Sequence, residues 1–101
     1  DAELDAFLAR YRTRVFTPQT ITSVARLRLE VVRARAQGYA VLEQQLQPGM
    51  RGVAVLLRDQ SDKAVGALSL TMPIGTASAR QEVERVVPTL QETAQALRRL
   101  L

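Results

Sequence analysis

The chain has 101 residues, 47% of them apolar, with fourteen basic and ten acidic side chains, a net charge of +4 and a pI near 10.6. That size and apolar content call for one domain with a core and exclude a disordered polymer. His and Cys are both missing, which removes disulfides, thiolate metal sites and most acid–base or nucleophilic constellations.

What remains for catalysis is carboxylates, and their placement argues against it. Asp59 and Asp62 flank a predicted turn, and Glu82 and Glu84 fall in the first turns of a predicted helix. Neither pair has the apolar setting that tunes an acid–base group. No enzyme, metal or cofactor is expected. Thirteen of the fourteen basic residues are arginines, but they spread along the whole chain without interleaved aromatics. A nucleic-acid platform needs such interleaving, so solvated helix faces are the expected reading. No apolar run reaches the length of a membrane span. The start Asp1-Ala2-Glu3-Leu4-Asp5 is acidic, unlike a signal peptide, and lacks an initiating Met, so a fragment of a longer, cytoplasmic protein is expected.

In chain order, Leu4, Phe7, Leu8 and Tyr11 recur at helical spacing and predict a first helix over 2–12, with Val15 extending the stripe. Acids open it and Arg10, Arg12 and Arg14 close it, as the helix dipole favours. Phe16-Thr17-Pro18 breaks it, and residues 19–22 should be extended. A second helix over 23–37, capped by Thr22 or Ser23, stops at Gly38 and should bury Val24, Leu27, Val31 and Ala34. The pattern then turns to strands at 39–46, 51–58 and 63–72, separated by Gln47-Pro48-Gly49 and Asp59-Gln60-Ser61-Asp62. A final helix starts near Ser78, with Gln81 as its capping-box partner and Pro88 expected to kink or split it. The fold class is α+β: helix, helix, three-stranded antiparallel meander, helix. So thin a sheet leaves edges and a face to be covered by further strands or a partner.

With a four-residue turn at 59–62, Arg58 faces Lys63 and the register follows. Gly52 then faces Ser69, Met50 faces Thr71, and Val53 faces Leu68. Alternation gives one bulky face (Val53, Val55, Leu57, Leu68, Leu70) and one of small groups (Gly52, Ala54, Ala67, Ser69, Thr71) ending at Met50. The small face either receives a helix or leaves room for a ligand oriented by the two hydroxyls. At the first hairpin a two-residue turn pairs Leu42 with Val55 on the bulky face. A three-residue loop with Gly49 left-handed puts Leu42 on the small face instead.

The runs Gly38-Tyr39-Ala40, Leu46-Gln47-Pro48-Gly49-Met50-Arg51, Val53-Ala54-Val55, Arg58-Asp59 and Ala67-Leu68-Ser69-Leu70 resemble the effector-binding domain of IclR-type bacterial transcriptional regulators. Thr17-Pro18-Gln19-Thr20-Ile21-Thr22 and Val32 through Gly38 resemble most the subgroup controlling protocatechuate, 4-hydroxybenzoate and β-ketoadipate catabolism. The resemblance covers the whole chain as the C-terminal half of a GAF-like effector domain. It implies a homo-dimer or tetramer, a small organic acid effector, and DNA contact only through a winged helix-turn-helix domain outside this chain. The effector-binding positions it implies are Leu42, Met50, Gly52, Ser69 and Thr71, which favours the three-residue loop at the first hairpin. This chain departs from the family pattern with Leu42 where an acid is common, Gln45 for a glutamate, Leu56 for a proline, and Gly52 for a small polar residue or cysteine. Those changes imply a larger, less polar pocket, suited to an aromatic or longer aliphatic acid; the alternative is an assembly domain with no ligand.

Overall fold

The alternation of large and small side chains along residues 50–73 dictates the architecture, because only one face of that ribbon can bury aliphatic bulk. The computed structural model describes residues 1–101 and shows helices α1 (Ala2–Arg10), α2 (Val24–Gln37) and α3 (Ala79–Leu97). Strands β1 (Ala40–Glu43), β2 (Met50–Arg58) and β3 (Ala64–Pro73) form one antiparallel sheet in that order, and a short 3-10 turn, Arg98–Leu100, follows α3. The molecule is a slab of 39 × 39 × 19 Å, the depth of one helix layer on one sheet layer. The expected α+β order is therefore present.

The core lies between α3 and the bulky sheet face. Val53 and Val55 of β2 meet Val86, Val87, Leu90 and Ala94 of α3, with Tyr39, Leu57, Leu68, Met72 and Val83 packed around them. Ser78 Oγ accepts from the Gln81 backbone N–H (3.2 Å), and the Gln81 side chain accepts from Ser78 N–H (2.8 Å), the capping box read from the sequence. Of the two outcomes expected at Pro88, a kink or a split, the split does not occur: α3 runs unbroken through it. Val86, Val87 and Leu90 are buried on both sides of it, so packing holds the helix together despite the missing amide donor.

The register between β2 and β3 differs from the counted one by two residues: Gly52 faces Thr71, Ala54 faces Ser69, and Val53 faces Leu70. Two one-residue differences add up. Asp59 N–H bonds to Lys63 O (2.9 Å) around a loop with Asp62 left-handed at φ 65°, so Asp59 and Lys63 close the turn. The Asp59 carboxylate accepts from Ser61 and Lys63 N–H (2.8 and 3.0 Å), holding that turn. A bulge beside Leu57 and Arg58 then leaves Val65 outside the pairing. Either change alone would turn β3 over; together they restore the predicted faces.

β1 is shorter than predicted, because Gln44 at φ 54° leaves the extended region. Leu42 lies on the small-residue face, as in the three-residue alternative, but opposite Gly52 rather than Ala54 because the connection is longer. Gln44 N–H reaches Met50 O (2.9 Å), and Gly49 is left-handed at φ 76°. Residues 17–20 form a turn rather than an extended entry, with Thr20 N–H on Thr17 O (3.2 Å) and Pro18 at its second position. Helix α1 ends at Arg10, leaving Val15 exposed. Helix α2, capped by Ser23 and ended by left-handed Gly38, has no buried residue. Its expected stripe stays half-covered because α3 occupies the sheet. Asp5–Arg28 and Asp1–Arg35 ion pairs join α1 to it instead.

Two charged groups, Arg51 and Glu82, lie in the packed layer. The Arg51 side chain is 4% exposed. Its guanidinium grips the Glu43 carboxylate with two donors and the Ala77 carbonyl with a third (3.2 Å), and stands 4.0 Å from Glu82. Glu82, also buried, is held from its other side by Arg85 (2.6 and 3.1 Å). The carboxylate assigned in sequence to an ordinary first helical turn is thus an internal ion-pair member.

Two stability outcomes follow. Leu90→Ala should cost about 2–5 kcal/mol in urea unfolding at unchanged m-value, while Leu29→Ala, on the open face of α2, should stay within about 0.5 kcal/mol. Arg51→Met should cost about 3 kcal/mol, since it leaves Glu82 without its inner partner; the half-exposed Glu43 keeps the loss at the low end of that range.

Candidate functional site

The face of the sheet turned away from α3 carries a cleft of about 170 Å³. Its floor follows from the pleat: Leu42 on β1, Met50, Gly52 and Ala54 on β2, and Ser69 and Thr71 on β3 all fall on that face. Its rim is the loop after β1, through Gln45, Leu46 and Gln47. All five expected site positions, Leu42, Met50, Gly52, Ser69 and Thr71, line this one cleft. The glycine matters sterically. A Cβ on Gly52 would meet Leu42 Cβ at 3.8 Å, so any larger side chain there would project into the space.

The rim was not legible as a lining element, because it depends on contacts distant in sequence. Thr17 Oγ1 donates to Gln44 O and Thr20 Oγ1 to Gln45 O, while Ile21 N–H reaches Gln45 Oε1 (3.5 Å). Thr17 is buried at this junction. Gln44 Oε1 accepts from Gly49 N–H (3.0 Å) and closes the loop on itself. The two threonines three residues apart, around Pro18, were the signal that could have located a loop anchor.

Electrostatically, the cleft is mild. Arg51 contributes backbone to its wall, but its side chain passes to the opposite face, as strand alternation demands. Its pKa is held above the ordinary value chiefly by the hydrogen bonds to Glu43, against the opposing effect of burial, with the charges of Glu43 and Glu82 adding to the rise. Arg51 is therefore a permanently charged internal tie and not an anion clamp for the cleft. The hydroxyls of Ser69 and Thr71 and the amides of Gln45 and Gln47 supply polarity to a mostly small and aliphatic surface.

A wider groove of about 760 Å³ runs between α2 and the start of α3, over Tyr39 and Val41 of the other sheet face. It is rimmed by charges of both signs, including Arg26, Arg33, Glu30 and Glu84. None of the five expected positions lies in it. No group of His, Cys, Asp and Glu side chains is arranged to hold a metal ion, and no helix is long and apolar enough to cross a membrane.

Comparison with known proteins agrees with this architecture. The family model described as the bacterial transcriptional regulator IclR C-terminal region matches residues 1–99. The chain is 34% identical to the HTH-type transcriptional regulator XynR of Escherichia coli K12 over 104 residues, covering 100% of this chain and 40% of that protein. It is 29% identical over 90 residues to the Pca regulon regulatory protein of Pseudomonas putida, covering 89% of this chain and 31% of the relative. The chain thus spans less than half the length of these relatives, which are transcriptional regulators rather than enzymes. Among solved structures, a transcriptional regulator from Rhodococcus sp. RHA1 superposes with a TM-score of 0.90 at 32% identity, over 97% of this chain and 40% of that one. The fold is also that of a double mutant of the PobR inducer-binding domain from Acinetobacter, solved as a 3-hydroxybenzoic acid complex (TM-score 0.89, 22% identity, 100% of this chain and 58% of that one). The chain belongs to the IclR family of bacterial transcriptional regulators and carries the family's C-terminal region.

Proposed function

We propose that this chain is the C-terminal part of a GAF-like effector-binding domain, and that its cleft takes a small, weakly polar organic acid, with a single-ring aromatic acid as the best fit. The observation that carries the reading is the convergence of Leu42, Met50, Gly52, Ser69 and Thr71 on one cleft opposite the packed face. At about 170 Å³ the part of the cleft this chain forms lies below the roughly 300–1,000 Å³ of pockets for drug-sized ligands, and is not the larger pocket expected from Leu42 and Gly52. Leu42 and the Gly52–Ala54 floor would contact the ring, and Ser69 and Thr71 would hydrogen-bond its polar end. The structural likeness to a doubly mutated inducer-binding domain solved with 3-hydroxybenzoic acid supports the ligand class. So does the likeness to the Pca regulon regulatory protein. In the cytoplasmic full-length regulator, effector binding would favour one dimer or tetramer arrangement and so change the DNA affinity of a separate winged helix-turn-helix domain.

A second reading is favoured by one observation: Leu42 and Leu56 stand about half exposed on the cleft face. An assembly domain would bury that face against more protein and use no ligand. The two readings part under substitution.

Titration with 3-hydroxybenzoate, followed by amide chemical shifts, should perturb Ser69, Thr71 and Gly52 first. Ser69→Ala should weaken binding about five- to tenfold, the equivalent of one net hydrogen bond of about 1 kcal/mol. Ser69→Leu should abolish binding while unfolding stability stays within about 0.5 kcal/mol, because the residue faces open space. No response to any member of a panel of aromatic and dicarboxylic acids, with Leu56→Asp dissociating an oligomer in sedimentation, would instead establish the assembly reading.

A further inference from the structure

We propose that Arg51 is a positioning residue that couples the cleft to the start of α3, so that occupancy of the cleft is read out as a change in how that helix is seated on the sheet. The proposal rests on the cleft reading for its ligand, but its mechanical part rests on geometry alone.

Five residues on two paired strands alternate between two tasks. Met50 and Gly52 face the cleft, and Arg51 between them faces α3. Across the ladder, Leu42 faces the cleft opposite Gly52, and the next residue, Glu43, faces α3 opposite Arg51. A change in twist between β1 and β2 that accommodates a ligand against Leu42 and Gly52 must therefore also move Glu43 against Arg51, because the pleat is rigid over so short a span.

What Arg51 touches makes that movement consequential. Its guanidinium is a planar fork, with two donors on Glu43 and the third on Ala77 O, the carbonyl just before the cap of α3. The same group faces Glu82 at 4.0 Å, and Glu82 is fixed by Arg85 of the same helix. Giving up the Ala77 carbonyl would leave a buried Nη1 donor without that acceptor, so the fork and the first turn of α3 shift together. At the far end of α3, Arg98 donates to Asp59 O (3.1 Å) and meets Asp62 (3.1 Å), and Gln60 donates to Arg99 O (3.0 Å). The helix is tied to the β2–β3 hairpin at both ends, and only the Arg51 tie adjoins the cleft.

The test is amide hydrogen exchange on the 101-residue chain, read at Gln81, Glu82 and Val83 and normalised to Ala94 in the same helix. One arm saturates the cleft with 3-hydroxybenzoate; the other fills it from within by Gly52→Leu, which needs no ligand. Each should change the normalised exchange at the first turn at least threefold. Glu82→Gln, which lies outside the cleft, should reduce that change to under 1.5-fold while the amide shifts of Ser69 and Thr71 still report binding. Arg51→Lys should do the same, since it keeps the charge but not the fork. A role confined to stability would lower protection throughout α3 and leave the normalised response intact, and that result overturns the proposal. So does a response of the parent chain to Gly52→Leu that stays within β1 and β2. If 3-hydroxybenzoate moves no cleft amide while Gly52→Leu still acts on α3, the coupling stands and the ligand reading fails.

Discussion

Packing α3 across one face of a three-stranded sheet is the constraint from which the rest of the molecule follows. A sheet of alternating bulky and small residues has only one face able to bury aliphatic surface at useful density, and here Val53 and Val55 take α3 on that side. The opposite face keeps Gly52, Ala54, Ser69 and Thr71 free of any helix of this chain. The cleft is thus the complement of the core. The same pleat that fills one side empties the other, and the helix that might have covered the small residues is held away from them by its own apolar stripe.

Arg51 shows how that arrangement is kept in register. A guanidinium buried between sheet and helix is a poor source of net stability, because its desolvation offsets most of its attraction to Glu43 and Glu82. Its value lies in geometry. The planar fork accepts few alternatives, so β1, β2 and the start of α3 meet in one arrangement. The threonine pair on the other side of β1 does similar work with neutral groups, holding the Gln44 and Gln45 carbonyls and so placing the rim of the cleft. The first device acts on β1, the shortest strand, and the second on the loop that follows it.

Membership of the IclR family places this chain among regulators, yet it spans 31–40% of the two curated relatives compared with it and 58% of the inducer-binding domain structure. Within this chain the sheet face opposite α3 and the outer side of α2 are left open. Only twelve residues are buried, which is few for a core and agrees with a larger packed unit.

Local chemistry alone determined the element order, the helix cap at Ser78, the narrowing of the second cap to Thr22 or Ser23, the stop at Gly38 and the alternation of large and small residues along each strand. Each depends on residues within a few positions of one another, where periodicity and turn preference act directly. Part of the cleft floor was legible the same way: a period of two groups Met50, Gly52 and Ala54 within β2 and Ser69 and Thr71 within β3, whereas joining the two groups needed the hairpin register and Leu42 was placed with them only by the family resemblance. Tertiary structure decided what alternation cannot reach. The hairpin loop at Asp59–Lys63 and the bulge at Val65 each moved the register by one, and the predicted faces survived because two such moves, unlike one, keep the parity of a strand of period two. The rim at Gln45–Gln47 was fixed by Thr17 and Thr20, more than twenty residues away. Likewise, the burial of Arg51 and Glu82 required a strand and a helix to meet, and nothing in the spacing of either residue along the chain records that contact.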